Sequence, residues 1–362
     1  MLLVVPSLSG GGAERVTLNL AKSWISKGHR VKICTLTSKD DYQDPFFSEK
    51  DILQCSKTRA RYSILRLRKH FTNFPQWTIV SMLRSANLAV LLAGFGLNRN
   101  IIFREGNPFG VDPFSPRFHQ IFIRLLYSFA YLRPNAIIAN SIGTAASISK
   151  FLYFCKRPIF VIPNPVLPPG FFKKKYPKAN HKWFKSKKNQ VILSVGKLTQ
   201  QKNFPLLLEA FKLAYEKNSN LRLLILGKGS LFSLIKEKVL AKKLQHCVEL
   251  GGFKKNIYPF FQGAKAFCLT SDYEGFGNVI VEALSFGLPV VSTNCDGGPK
   301  DILINSKYGI LVEKNPRLIA EALLKVISTK GAKKERIDHS KLYSSERIAQ
   351  FYLNKIFEVS KA

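Results

Sequence analysis

Short apolar runs alternate with amphipathic stretches along nearly all of this 362-residue chain, and that rhythm restricts the fold more than any other feature. In the first half, Leu2–Val5, Val31–Leu36, Thr78–Met82, Ile101–Phe103, Ala136–Ala139 and Ile159–Ile162 read as strands, with helices near 13–27 and 84–94. A second series follows at Val191–Val195, Leu221–Leu226, Val248–Leu250, Ala266–Leu269, Val290–Ser292 and Gly309–Val312. Strands separated by helices and short loops give parallel sheets with right-handed crossovers. Two such halves imply a cleft, with ligands bound at the carboxyl ends of the strands.

The length suits two domains. Composition marks the boundary. Pro163-Asn164-Pro165 and Pro168-Pro169-Gly170 interrupt regular structure, and the stretch 173–188 holds eight lysines with almost no acid. The expected division is a first domain over 1–165, a basic linker over 166–190 and a second domain over 191–344. An amphipathic helix follows over 345–362. Six cysteines show no C-x-x-C spacing and read as reduced core thiols. No run reaches the about 18 apolar residues of a spanning helix; Ala86–Leu97 is the longest mainly apolar stretch. Met1–Val5 reads as a first buried strand and not as a signal peptide.

The most informative run is Glu274-Gly275-Phe276-Gly277-Asn278-Val279-Ile280-Val281-Glu282. It reads as a strand end, a tight Gly-Phe-Gly turn and a helix start. Glycines let a ligand approach the backbone, and a helix N-terminus favours a diphosphate. Glu282, about one turn into the helix, can accept from hydroxyls of a sugar ring on that diphosphate. Glu274 can face a second sugar. The plainer alternatives are a dipole-stabilised helix carboxylate and a turn residue. Lys197 and Lys202 follow a buried strand and can neutralise a departing diphosphate, although two solvated lysines are the usual reading of such a pair. Gly10–Gly12 and Gly229 are weaker signals, each also explained as a turn after a strand.

These stretches resemble the family 4 retaining glycosyltransferases. Residues 274–291, EGFGNVIVEALSFGLPVV, look like the family's E-x7-E region. Ser7–Val16 is similar to its first glycine loop, and Gly196–Asn203 to its G-R-L-x-x-x-K-N phosphate motif. Leu226–Gly229 and Gly297–Asp301 also stand where the family places such segments. The resemblance is poorest between about residues 40 and 75. It implies the α/β GT-B fold: two Rossmann-like domains with parallel sheets facing across a cleft, and a last helix crossing back to the first domain. It implies donor contacts at Glu282, Gly275, Phe276, Gly277, Asn278, Val279 and Gly229, and catalytic parts for Glu274, Lys202 and Lys197. It places an acceptor or phosphate loop at Gly11, Gly12 and Arg104. Two departures stand out. Lys197 replaces the usual Arg, keeping the charge without the bidentate fork. Arg104-Glu105 occupies the place where many members carry a His after the strand.

The net charge of +33, from 56 basic and 23 acidic residues, asks for a polyanionic partner. Lys57–His70 and Phe114–Arg133 mix basic and apolar residues. The second stretch fits a helix lying in a membrane interface, where each Lys or Arg gains roughly 1 kcal/mol from anionic headgroups. The alternatives are a core helix with solvated charges, or a nucleic-acid surface; no nucleic-acid-reading motif accompanies the charge. The histidines show no triad or metal spacing, and no D-x-D motif stands at a strand end. The expected protein is a metal-independent retaining glycosyltransferase without cofactor, peripheral on the cytoplasmic face of the membrane. It would use a nucleotide-sugar donor, UDP-linked, and a lipid-linked saccharide acceptor. The rivals are a nucleotide-sugar epimerase or phosphorylase on the same architecture, and a non-catalytic polyanion- or membrane-binding protein.

Overall fold

The computed structural model describes residues 1–8, 11–37, 44–48, 50–56, 63–110, 117–329 and 331–361. It divides into two compact units, Met1–Pro169 with Tyr343–Ala362, and Gly170–Leu342. Ser9 and Gly10 of the first glycine loop, and Lys57–Tyr62 of the first basic stretch, lie outside the described residues.

The first unit begins with β1 (Leu2–Val5), α1 (Gly12–Ile25), β2 (Lys32–Thr35) and β3 (Ile52–Gln54). Then come α2 (Ile64–Asn73), β4 (Ile79–Met82), α3 (Arg84–Ala93) and β5 (Ile101–Glu105). It continues with α4 (Arg117–Ala130), β6 (Ala136–Ala139), α5 (Ile142–Phe151) and β7 (Ile159–Val161). The strands form one seven-stranded sheet in the order β3-β2-β1-β4-β5-β6-β7, parallel throughout. Successive strand residues face opposite sides. Leu2, Val4 and Ile79 enter one core, while Leu3, Val5 and Val80 enter the other. Both sides are apolar because helices cover both, which is why the strands read as unbroken apolar runs.

The second unit opens with α6 (Lys182–Lys185), β8 (Gln190–Val195), α7 (Phe204–Lys217), β9 (Leu221–Leu226) and α8 (Phe232–Ala241). β10 (Val248–Gly252), α9 (Tyr258–Gly263), β11 (Ala266–Leu269), α10 (Asn278–Ser285) and β12 (Val290–Thr293) follow. It ends with α11 (Pro299–Leu303), β13 (Ile310–Val312), α12 (Pro316–Ser328) and α13 (Lys333–Ser340). Its six parallel strands run β10-β9-β8-β11-β12-β13. The last helix, α14 (Ser345–Lys361), belongs to the first unit. It packs on α1 through Trp24, which is fully buried and edge-on to Tyr352 with ring centroids 6.2 Å apart. The Trp24 indole N–H also donates to the Ala349 carbonyl at 3.1 Å.

Each unit carries one parallel sheet of Rossmann type, as the GT-B expectation requires. Two local readings change. β3 and α2 carry too few apolar residues to stand out: β3 is a three-residue edge strand, and α2 buries only Leu67 and Phe71 among basic neighbours. The segment 166–190, a linker by composition, is no free tether from Gly170 onward. Phe171 and Trp183 are buried, the Ala179 N–H donates to the Pro259 carbonyl at 3.0 Å, and Glu249 pairs with His181 at 3.1 Å and Lys182 at 3.0 Å. Aromatic anchors spaced between the lysines fix it to the second unit, a signal that counting charge passes over.

Candidate active site

The strand order of the second unit reverses between β8 and β11, and an open parallel sheet has its crevice at such a point, outside the carboxyl ends of the strands. The loop leaving β8 carries Lys197 and Lys202. The loop leaving β11 carries Glu274. Both loops are therefore delivered to one place by topology, although 72 residues separate Lys202 from Glu274.

The Lys202 ammonium pairs with Glu274 Oε1, and the Ser271 hydroxyl donates to the same oxygen at 2.6 Å. Glu274 is only 6% exposed. An isolated carboxylate so placed would cost several kcal/mol, and the paired lysine and hydroxyl offset that. The two loops are stitched together by further bonds, among them one from the Asp272 N–H to the Gln201 carbonyl at 2.8 Å. Thr270 Oγ1 donates to the Lys202 and Asn203 carbonyls at 3.2 and 3.1 Å. Asn203 Nδ2 donates to Asp272 at 3.1 Å, and Gln201 Nε2 to the Tyr273 carbonyl at 2.9 Å. Asn203 itself sits at φ 44° and caps α7 by accepting from the Leu206 N–H at 3.3 Å. Asn203 closes the phosphate motif read from the sequence, but Thr270 and Ser271 carry no sequence signal as site residues, and Asp272 none beyond its place just before Glu274. The only cue was a cluster of hydrogen-bonding residues directly after an apolar strand.

Gly275, Phe276 and Gly277 are buried and lead into α10. Gly277 is its N-cap at φ 92°, with no side chain to close the first-turn N–H groups. Asn278 and Val279 form the half-buried first turn. The first-turn amides and the helix dipole are features that suit an anion. Glu282 lies farther along the same helix with its side chain fully buried. Behind the turn, the Asp296–Gly298 loop supports it from β12: the Glu274 N–H donates to the Asp296 carbonyl at 3.0 Å. Burial, and next the nearby Glu274 carboxylate, push the Cys295 thiol up to about 11. It is a packing residue at neutral pH and not a nucleophile.

Gly229 has a packing reason of its own. A Cβ there would lie 2.3 Å from the Leu198 carbonyl oxygen, because the β9–α8 loop lies directly on the Lys197–Leu198 backbone, where the Leu198 N–H donates to the Lys228 carbonyl at 3.0 Å. Lys197 is exposed beside it. Gly11 and Gly12 belong to the first unit, as N-cap and first residue of α1. Arg104 does not line an accessible loop, which corrects its reading as an acceptor contact. β5 runs two residues farther than expected and carries Arg104 into the interior. There it donates to the Tyr352 hydroxyl at 3.2 Å and to Asn164 Oδ1, tying β5 to α14. Glu105 is equally buried. Its carboxyl accepts from Asn87 at 2.6 Å and from the Tyr131 hydroxyl, and burial raises its pKa above the ordinary range against those bonds.

Comparison with known proteins agrees with this architecture. The model described as "Glycosyltransferase Family 4" matches residues 10–167, and "Glycosyl transferases group 1" matches residues 176–341. The N-acetylgalactosamine-N,N'-diacetylbacillosaminyl-diphospho-undecaprenol 4-alpha-N-acetylgalactosaminyltransferase of Campylobacter jejuni is 27% identical over 325 residues, 86% of this chain and 85% of that protein. Among solved structures, the lipopolysaccharide outer core galactosyltransferase WaaB superposes with a TM-score of 0.70 at 21% identity, covering 99% of both chains. HepE of Anabaena, in complex with UDP and glucose, gives 0.71 at 17% identity, covering 99% of this chain and 96% of its own. The two family models meet on either side of the boundary between the units, and the chain belongs to the family 4 glycosyltransferases of GT-B fold.

Proposed function

We propose that this glycosyltransferase moves a sugar from a UDP-linked donor to a lipid-linked or saccharide acceptor, with retention of anomeric configuration and without a divalent metal, in assembly of a surface polysaccharide or glycan. The observation that carries this reading is the Lys202–Glu274 pair held at the switch point in front of α10. The donor rests on the second unit, with its diphosphate at the N-terminus of α10 and its sugar toward Glu274. The anion draws Lys202 off Glu274. That leaves the carboxylate for sugar hydroxyls and places the ammonium where charge develops on the leaving diphosphate. Lys197 adds a second charge from solvent. Glu282 contacts the nucleoside side of the donor. The acceptor approaches through the first unit, beside Gly11 and Gly12. A UDP-bound neighbour and a relative whose printed name includes diphospho-undecaprenol support the donor and the acceptor class.

The test is thermal unfolding of the chain against nucleotides and nucleotide-sugars. A ligand at about 100 times its dissociation constant adds roughly 2.7 kcal/mol. Selective stabilisation by UDP and one UDP-sugar, the same with or without magnesium, is the expected result. Stabilisation by polyanions with none by any nucleotide would favour the binding-protein reading instead. An inverted anomeric signal in the product would remove the retaining assignment.

The same proposal places the enzyme on the cytoplasmic face of a membrane. No helix among the described residues is long and apolar enough to cross one. α4 supports docking on its surface. Its inner residues Ile123, Tyr127 and Ala130 pack on or join the core, yet its outer face leaves Phe118 75% and Phe122 62% exposed, with Leu126 and Phe129 beside them. Such a face on a chain of charge +33 suits an anionic bilayer, the apolar side entering the interface and the basic residues meeting headgroups. Binding to anionic vesicles is expected to weaken about tenfold or more on Phe122→Ser, as a buried aromatic side chain is withdrawn, and to fall at high salt. Absent or salt-insensitive vesicle binding would remove the membrane from the proposal.

A further inference from the structure

The first unit brings together three side chains that no local spacing connects. Cys34 lies on β2, Cys55 directly follows β3, and His70 is on α2. Parallel pairing sets Cys34 opposite Leu53. Cys55, two residues on, falls on the same face of the sheet, held by its N–H to the Thr35 carbonyl at 2.9 Å. The two thiols are buried and their sulfurs are 3.0 Å apart. α2 is anchored by Leu67 and Phe71 in the same core, and His70 follows Leu67 by three residues, so it lies on the same side of the helix. One ligand atom from each of Cys34, Cys55 and His70 lies within 4.8 Å of the other two.

We propose that Cys34, Cys55 and His70 bind a zinc ion that clips β3 and α2 to β2. Two thiolates and an imidazole are the donor set that zinc prefers, and the two thiolates cancel its charge. Tetrahedral bonds of about 2.0–2.3 Å set neighbouring ligand atoms roughly 3.5–3.8 Å apart. The sulfurs must therefore spread by less than an ångström, and the imidazole must close slightly. Water completes the fourth position from the half-exposed side of His70. The site is independent of the donor site, which is built wholly from the second unit. It also has a structural rationale: β3 is a three-residue edge strand, and nothing else among the described residues cross-links it covalently or through a metal.

The test uses the full chain, stripped with a strong chelator and titrated with cobalt(II) and then with zinc(II). One equivalent of cobalt is expected to give the thiolate-to-cobalt band and the intense visible bands of a tetrahedral ion, and zinc is expected to displace it. His70→Ala and Cys55→Ser each remove a direct ligand and are expected to weaken zinc binding by more than the roughly 10–100-fold that loss of an outer-shell partner costs. Cys155→Ser, at a half-exposed cysteine outside the cluster, is expected to leave it unchanged. Zinc is expected to raise the Tm of the unaltered chain and not that of His70→Ala. A chain that gives no thiolate band, or one whose band survives both cluster substitutions, overturns the proposal. So does a native chain with two thiols fewer than its six cysteines and no affinity for either metal, since the pair is then a disulfide.

Discussion

Replacing Lys202 by Met is expected to lower the turnover number of sugar transfer by about 10²–10³-fold. The effect should come from chemistry and not from collapse of the loop. Methionine keeps an apolar stem where the lysine lies along Gly196: a Cβ on that glycine would be 3.4 Å from Lys202 Cγ, Cδ and Cε. The carboxylate left behind keeps the Ser271 hydroxyl at 2.6 Å. Breaking a largely buried ion pair by removing one partner can cost about 3–5 kcal/mol, so Tm is measured alongside activity. If Lys202 stabilises the departing diphosphate, kcat and kcat/KM fall together, because the interaction is made in the transition state. Glu274→Gln keeps the shape and the Ser271 contact, and is expected to cost a similar factor.

The pair also predicts non-additivity. Lys202 and Glu274 touch, so the double variant Lys202→Met/Glu274→Gln should lose little more than the worse of the two singles. Independent, fully additive losses would mean that the two groups act on separate steps. A turnover near that of the unaltered chain in Lys202→Met would make the pair structural and move the catalytic assignment elsewhere.

Why was this pair legible in the sequence, and much of its surroundings not? Lys202 and Glu274 each follow an apolar run at its expected carboxyl end. In a parallel sheet that position alone points to the crevice. The strand runs were readable because both faces of each sheet are covered, so β1, β6, β9 and β11 have the boundaries that hydrophobicity suggests. β3 and α2 were not readable because they form a sheet margin with little apolar surface. Arg104 shows a different limit. A charged residue at a strand end is ordinarily a site candidate, and only the partners Tyr352 and Asn164, from distant segments, reveal an interior tie. The cysteine–histidine cluster is of the same kind: register brings Cys34 and Cys55 together, and packing of α2 through Leu67 and Phe71 brings His70 to them, neither of which spacing along the chain encodes. Gly229 and the Gly297-Gly298 pair were visible as glycines, but the reason for them lies in the close approach of one backbone to another.

That last point gives the largest expected effect on folding. Gly297→Ala is expected to destabilise the second unit by about 4 kcal/mol or more, a Tm loss on the order of 10 °C for a unit of this size. Gly297 sits at φ 110°, and an added Cβ would stand 1.6 Å from the Glu274 carbonyl oxygen and 2.8 Å from its carbon. Both neighbours are backbone, so no rotamer change relieves the contact. The loops after β11 and β12 would have to separate. Their separation breaks the bond from the Glu274 N–H to the Asp296 carbonyl at 3.0 Å and shifts the carboxylate that holds Lys202. Gly252→Ala is the control. It also has positive φ, at 68°, but a Cβ there meets nothing within 4 Å, so it carries only the strain of a left-handed residue, about 1–2 kcal/mol. The difference between the two variants isolates the backbone contact from the handedness they share. Gly297→Ala should also bind UDP more weakly under conditions where it remains folded, whereas Gly252→Ala should not. Equal Tm losses in the two variants would show that the Glu274 loop is not braced by the loop behind it, and the geometry of the Glu274 carboxylate would then have to be set by Ser271 and Lys202 alone.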